Sequence, residues 1–438
     1  MRPAALVAGG FLIAIAVGTV LLALPVAHAP GQQVGWTDAL FTATSAVCVT
    51  GLIVVDTGSA FSLFGRTVIA LLIQAGGLGI LTLGGLAALL VGSRVGYRQR
   101  LHLQRQVGAL HLGGVVRLVR GIVLVVVTAE VALTLVLWPR LAAEHGLLGG
   151  LGVAAFHAIS AFNNAGFSTY QDSLARYVGD AWIALPIVGA FVLGGIGHHV
   201  LLDGVARLRG GRARMSLHAR MALSMTALLL VAGTVAVAAF EWRNPATLGA
   251  LAPLERLLAA VFQAATPRTA GFFVVDVGAM QPATLAVTML LMFIGGSPGS
   301  TAGGIKTVTF FVLIGSAWSW SRGHGELEIW GRRLAAELVV RAGVIAFLAA
   351  LVVGAGFTAL LAIDPQLGFA PLLFESVSAF GTVGLTMGVT PELSEGGRLV
   401  VVALMLIGRL GPLTAAVALL ERSRAKLVSR PAEDVMIG

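Results

Sequence analysis

The chain has 438 residues, of which 57% are apolar and only 11% charged, and its mean hydropathy is +0.92. Soluble domains carry about 25% charged residues, so this composition excludes a soluble enzyme or a nucleic-acid-binding domain and identifies an integral membrane protein. The net charge of +9 does not change that reading, because arginines cluster in two connections between apolar runs, where membrane orientation explains them.

Eight apolar runs follow one another near residues 4–26, 67–92, 118–138, 181–205, 219–240, 282–318, 338–363 and 397–420. Each is long enough for a hydrocarbon core of about 30 Å. The first ends in VAHAPG, similar to a signal-peptidase site, but its apolar core of about 20 residues exceeds the roughly 7–15 of a signal peptide and is read as a span. Arg94, Arg98, Arg100, Arg105, Arg117 and Arg120 fill the connection after the second run, and Arg207, Arg209, Arg212, Arg214 and Arg220 the one after the fourth. Residues 26–65 hold no Lys or Arg. The positive-inside rule places both termini and the arginine connections in the cytoplasm. Cys48 is the single cysteine, which rules out an internal disulfide.

Between runs 1 and 2, 3 and 4, 5 and 6, and 7 and 8 lie four related segments: ALFTATSAVCVTGL, AAFHAISAFNNAGF, AVFQAATPRTAGFF and LLFESVSAFGTVGL. A Phe precedes a Gly by ten positions in three of them (Phe41 and Gly51, Phe156 and Gly166, Phe374 and Gly384) and by nine in the third, Phe262 and Gly271. The glycines recur at intervals of 115, 105 and 113 residues. The predicted fold is therefore all-α and membrane-embedded: eight transmembrane helices and four re-entrant loops, arranged as four pseudosymmetric span, pore loop, span repeats around one pore. The repeats are placed at 1–107, 108–213, 214–333 and 334–438, the last with a cytoplasmic tail.

Each segment reads as a short helix of about two to three turns followed by an extended stretch with a glycine. Irregular backbone at membrane depth is tolerated only where protein buries it or water lines it. A single segment of this kind is more plainly a helix-packing site; four in register favour a pathway. Rings of backbone carbonyls replace the hydration shell of a cation, glycine brings no side chain into such a ring, and partially negative helix C-termini add to it.

SAVCVTGL, FNNAGFST, TPRTAGF, FGTVGLT, GGSPGSTAGGIKT and IGRLGPLT together closely resemble the Trk/Ktr/HKT superfamily of potassium transporters, over essentially the whole chain, and most of all its Ktr membrane subunits. The resemblance implies a potassium filter at Gly51, Gly166, Gly271 and Gly384, flanked by Val49, Thr50, Asn164, Ala165, Thr269, Ala270, Thr382 and Val383. Glycine at all four places implies K+ as the transported ion, with Na+ a stimulating ion; a sodium or non-selective monovalent cation channel or symporter of the same fold is the alternative. The same resemblance implies a homodimer with one pore per protomer in a bacterial cytoplasmic membrane, controlled by a KtrA-like cytoplasmic ring of nucleotide-binding subunits. The arginine connections and the tail ERSRAKLVSR are the expected docking surface; orientation and anionic lipid explain them equally.

The sixth run is interrupted by Gly295, Gly296, Ser297, Pro298, Gly299, Ser300, Thr301, Ala302, Gly303, Gly304 and Ile305, then Lys306. Lying on the cytoplasmic side of the third filter segment, this loop has the place of an intramembrane gate, the role the resemblance implies. A phosphate loop fails by one residue, Ile305 before Lys306, and lacks the preceding strand. A simple kink at Pro298 and a broken-helix substrate site are the other readings. Lys306 either snorkels or opposes cations at the closed gate. Arg409 falls inside the eighth run, where a lone charge costs at least about 2.5–3.5 kcal/mol; the resemblance implies that it faces the pore beneath the filter.

Arg268 and Glu375 lie in the third and fourth segments and are expected to pair behind the filter. Asp38, Asp56 and Asp276 are expected on the outer side, either concentrating cations or simply solvated. His198 and His199 are adjacent on the fourth run, about 100° apart around a helix, and are not expected to share a metal. No catalytic constellation is visible.

Overall fold

The computed structural model describes residues 3–79, 115–208, 215–323 and 325–411. The arginine connection at 94–105, residues 209–214, the 107/108 and 213/214 repeat boundaries, residues 412–420 of the eighth run and the tail lie outside the described residues.

Repeat 1 consists of α1 (Pro3–Ala23), α2 (Trp36–Cys48), a single turn α3 (Thr57–Ala60) and α4 (Leu63–Leu78). Repeat 2 runs its first helix and its pore helix together as α5 (Val115–Phe162), divided at Gly146 by a left-handed φ of 72°, and continues with α6 (Ala181–Ile196) and α7 (His198–Leu208). Repeat 3 holds α8 (Leu217–Glu241), α9 (Pro253–Ala265), α10 (Pro282–Phe293) and α11 (Thr307–Ser321). Repeat 4 holds α12 (Ala336–Ile363), α13 (Phe369–Gly381) and α14 (Glu395–Leu410). Repeat 3 ends in an antiparallel hairpin of two-residue strands, β1 (Glu328–Ile329) on β2 (Arg332–Arg333).

Local chemistry sets where these helices begin. The side chains of Ser62, Ser216 and Ser394 accept from the N–H groups of Gly65, Ala219 and Gly397 at the starts of α4, α8 and α14. Such caps satisfy donors that no intrahelical partner reaches. Asp180 does the same for Trp182 at α6. Pro253 opens α9, and Glu255 accepts from the preceding Ala252 N–H at 3.0 Å.

The repeats close into a ring. The second helix of each packs on the pore helix of the next: α4 on α5, α6 on α9, α10 on α13, and α14 on α2. The repeat phenylalanines Phe41, Phe156, Phe262 and Phe374 are all buried and wedge the pore helices into that ring, each burial contributing about 1.5–3 kcal/mol.

Three helical stretches, Val119–Phe162, Leu217–Glu241 and Ala336–Ile363, are long and apolar enough to cross a membrane, and α6 with α7 makes a fourth if that pair, bent by 104°, is one span. The first expected run is the single helix α1, whereas the second helix of each repeat stops inside its expected run. α4, α6 and α14 stop at Gly79, Gly197 and Gly411, with φ of 81°, 105° and 85°, a region open to glycine and strained for other residues. In repeat 3 the break is the whole loop between α10 and α11. His198 consequently lies at the bend, and the run expected at 181–205 is two helices.

One turn before each glycine break, the backbones approach closely. A Cβ on Gly76, Gly194 or Gly408 would collide with the carbonyl oxygen of Val47, Phe162 or Phe380, each four residues before its own filter glycine. Substituting Gly408→Ala is expected to destabilise the fold by about 1–3 kcal/mol through overpacking. Gly354→Ala in α12, where a Cβ meets nothing within 4 Å, leaves thermal unfolding in detergent unchanged; equal shifts in the two variants would contradict the close approach.

Candidate functional site

The four predicted filter glycines all take positive φ: 93° at Gly51, 70° at Gly166, 77° at Gly271 and 94° at Gly384. They also touch one another. A Cβ on Gly51 would meet Ala165 O and Gly166 Cα; on Gly166, Gly271 Cα and Ala270 O; on Gly271, Val383 O and Gly166 Cα; on Gly384, Thr50 O and Gly51 Cα. The contacts pass from repeat 1 through 2, 3 and 4 and back to 1. Any side chain at these positions meets both a steric wall and left-handed strain.

Each pore helix delivers its glycine through a tight turn. Two residues earlier the backbone is left-handed, with φ of 57° at Val49, 59° at Asn164, 70° at Thr269 and 49° at Thr382. In repeats 1, 2 and 4 the next N–H reaches back five residues: Thr50 to Ser45 O at 2.8 Å, Ala165 to Ser160 O at 2.7 Å and Val383 to Ser378 O at 2.9 Å. This closes the helix end in a Schellman turn. In repeat 3 Ala270 N donates four residues back, to Thr266 O at 2.9 Å, so the residue missing between Phe262 and Gly271 is taken out of this turn. Left-handed backbone at Val and Thr costs about 1–3 kcal/mol each and persists where surrounding structure holds it.

The same turns leave polar atoms unsatisfied. Thr50 Oγ1, Thr269 Oγ1, Thr382 Oγ1 and Asn164 Nδ2 are buried and have no partner within the protein. Asn164 Oδ1, in contrast, accepts from Thr301 Oγ1 of the glycine loop at 2.9 Å.

The loop at 295–307 lies against this end of the filter segments. A Cβ on Gly303 would collide with Thr382 Oγ1, and one on Gly295 with Gly303 O. Ser297 N donates to Gly195 O at 2.9 Å, and His198 N to Gly299 O at 2.9 Å. The His198 ring Nδ1 reaches the same Gly299 oxygen at 2.7 Å. Ser297 and Thr307 hydroxyls meet at 2.9 Å. The loop is thus fastened to the bend between α6 and α7, which explains why that helix pair breaks where it does. Lys306 Nζ folds back onto Ala302 O at 2.6 Å and Gly303 O at 3.3 Å, holding the loop rather than extending away from it. Arg409 donates Nη1 to Thr301 O and Nη2 to Gly76 O, bridging the loop to the second helix of repeat 1.

Glu375 and Arg268 do not pair. Glu375 accepts from Thr386 Oγ1 at 2.8 Å and Thr390 Oγ1 at 2.7 Å within its own repeat, whereas Arg268 turns to Thr226 on α8, with Nη2 3.2 Å from its hydroxyl. Two hydroxyl donors satisfy the carboxyl, so it needs no cation. Of the acids expected on the outer side, Asp38 is engaged by Arg398 at 2.6 Å, Asp56 caps α3 through Ser59 N at 2.7 Å, and Asp276 accepts from Gly278 N at 2.9 Å. These acids are local structural partners. Among the described residues no group of three or more His, Cys, Asp or Glu is placed to hold a metal.

A buried carboxyl escaped the sequence reading. Glu130 on α5 accepts from Asn163 Nδ2 at 2.8 Å, and the same amide donates to Gln74 Oε1 at 3.0 Å and Ile159 O at 3.0 Å. It ties repeat 1's second helix and repeat 2's first helix to the residue before Asn164. Its signal was a lone acid in the apolar run VLVVVTAEVALTLVL.

The family model described as TrkH, cation transport protein, matches residues 11–428. The chain belongs to this cation transport family. It is 43% identical over 94% of its length, and 92% of the relative's, to the Ktr system potassium uptake protein B of Bacillus subtilis. It is 39% identical to the protein of the same name from Vibrio alginolyticus, over 98% of this chain and 93% of that one. It is 37% identical to the potassium/sodium uptake protein NtpJ of Enterococcus hirae, over 100% and 98%. The fold is also similar to the solved potassium transporter TrkH of Vibrio parahaemolyticus, with a TM-score of 0.74 at 20% identity, covering 94% of this chain and 85% of that one.

The fastening of the loop is testable by thiol labelling of Ala302→Cys, a buried position, in a Cys48→Ala background. Because a hydrogen bond to a charged donor contributes about 1.5–3 kcal/mol, adding Arg409→Ala is expected to speed labelling about tenfold or more. An unchanged rate would mean that Arg409 does not hold the loop.

Proposed function

We propose that the chain takes up potassium across a bacterial cytoplasmic membrane through a carbonyl-lined filter at Gly51, Gly166, Gly271 and Gly384. The observation that carries this reading is the closed cycle of four positive-φ glycines in backbone contact. A ring so narrow that no Cβ fits brings backbone oxygens to within coordinating reach of one axis, which is how a dehydrated cation is held. The unpartnered buried hydroxyls of Thr50, Thr269 and Thr382 support it further, since a passing hydrated or coordinated cation supplies what the protein withholds. The pore helices end at these turns and add partial negative charge there.

The loop at 295–307 is the gate in this reading. Its contacts with Thr382, Asn164 and Gly195 lie across the same end of the filter, and Lys306 and Arg409 add positive charge beneath it. A cytoplasmic ring of nucleotide-binding subunits acting on this loop, a homodimer, cytoplasmic termini and stimulation by sodium complete the proposal. The naming of two relatives as Ktr system potassium uptake proteins supports the ion and implies a system with a further component. Passage of sodium as well has one supporting observation, the potassium/sodium name of the Enterococcus hirae relative.

Uptake of potassium against sodium into proteoliposomes holding the purified chain tests the filter. Gly51→Ser puts a side chain against Ala165 O, and the potassium-to-sodium ratio is expected to fall about tenfold, the loss of about 1.4 kcal/mol of discrimination. A ratio that stays high in the variant would remove Gly51 from the filter and with it the ring.

A further inference from the structure

The residue that follows the repeat phenylalanine is polar in all four repeats: Thr42, His157, Gln263 and Glu375. All four are buried, at 0%, 1%, 2% and 0% exposure, on the pore helices behind the filter. A polar side chain in that place needs a partner, and three of the four find it in the chain that leaves the filter. In repeat 2, His157 Nδ1 donates to Val153 O at 2.9 Å and Nε2 lies 3.0 Å from the Ser168 hydroxyl. Ser168 is two residues past Gly166 and accepts from Tyr170 N at 3.0 Å, and its one hydroxyl proton lies between two acceptors, His157 Nε2 and Ser173 O, each at 3.0 Å. In repeat 4, Glu375 accepts from Thr386, two residues past Gly384, and from Thr390. In repeat 3, Gln263 Oε1 accepts from Val274 N at 3.4 Å. In repeat 1, Thr42 Oγ1 has no partner, and the tie comes instead from Ser45 Oγ, which accepts from Gly51 N at 3.0 Å.

We infer that this position is the buttress of the filter's outer half, and that His157 and Glu375 are positioning residues that set its ion selectivity. This rests on the filter reading above and extends it. Repeats 2 and 4 are opposite in the ring order 1, 2, 3, 4, so the strong ties lie across one diagonal. The tie in repeat 3 is long and that in repeat 1 lies closer to the glycine. A carbonyl ring discriminates between ions of different radius to the extent that its backbone resists contraction, and a side chain anchored on a pore helix supplies that resistance where the exit strand has no helix of its own.

The test is competition of sodium with potassium uptake in proteoliposomes for His157→Ala, Glu375→Ala, Glu375→Gln and Thr42→Val, beside Gly51→Ser. The potassium-to-sodium ratio is expected to fall about fivefold or more in His157→Ala and Glu375→Ala while potassium flux persists. Glu375→Gln, which keeps one carbonyl acceptor, restores most of the ratio, and Thr42→Val leaves it unchanged. Should Glu375→Ala fail to fold, Thr386→Val with Thr390→Val removes the same contacts from the other side. An unchanged ratio in the His157 and Glu375 or Thr386 variants, with Gly51→Ser still lowering it, overturns the buttress and leaves the filter standing. A ratio unchanged in every variant overturns both readings.

Discussion

Four backbone segments approach until only glycine fits between them, and the rest of the molecule is arranged to hold that approach. The cost is visible in the turns beside it, where Val49, Asn164, Thr269 and Thr382 all sit at positive φ. Such strain persists only if neighbouring structure fixes both ends of the segment. The Schellman closures of repeats 1, 2 and 4 and the Ala270–Thr266 bond of repeat 3 fix one end, and the contacts of Ser45, His157, Gln263 and Glu375 fix the other. Behind them, the glycine approaches of α4, α6 and α14 to Val47, Phe162 and Phe380 press the second helices of repeats 1, 2 and 4 onto their own pore helices. The packing of each second helix on the next repeat's pore helix then closes the ring.

The repeats are alike in backbone and unlike in chemistry, and the differences gather at one end of the ring. The tetrads at 76–79, 194–197 and 408–411 read GGLG, GGIG and GRLG, so Arg409 stands where two other repeats have glycine. Repeat 3 replaces the tetrad with the loop that Arg409, Asn164 and His198 fasten. In the proposed function, the fourfold scaffold is the symmetric axis for an ion, and the loop at 295–307 is what can obstruct it.

Charges buried in this scaffold are satisfied by neutral groups. Glu130 takes an amide, Glu375 two hydroxyls, Arg268 a threonine and Arg409 two backbone carbonyls. Burying an ion pair gains little once both desolvation costs are counted, whereas single charges bonded to dipoles hold specific segments in place. That explains why the pair expected between Arg268 and Glu375 does not form: each side chain is committed to its own repeat.

The sequence alone determined the membrane class and singled out the four glycines that the structure brings into backbone contact, because hydropathy and a glycine recurring in register are one-dimensional signals. It also located the glycine loop and marked Arg409 as out of place in an apolar run. It left unread Thr42, His157, Gln263 and Glu130 and assigned Glu375 the wrong partner, since His157, Gln263, Glu375 and Glu130 meet their partners only when residues from 11 to 33 positions away are brought beside them. The helix ends at Gly79, Gly197 and Gly411 were likewise hidden, because an apolar run reads as one span whether or not its helix stops. Only the tertiary structure decided which oxygen each buried charge would take, and that choice depends on the distances between repeats, which no spacing along the chain records.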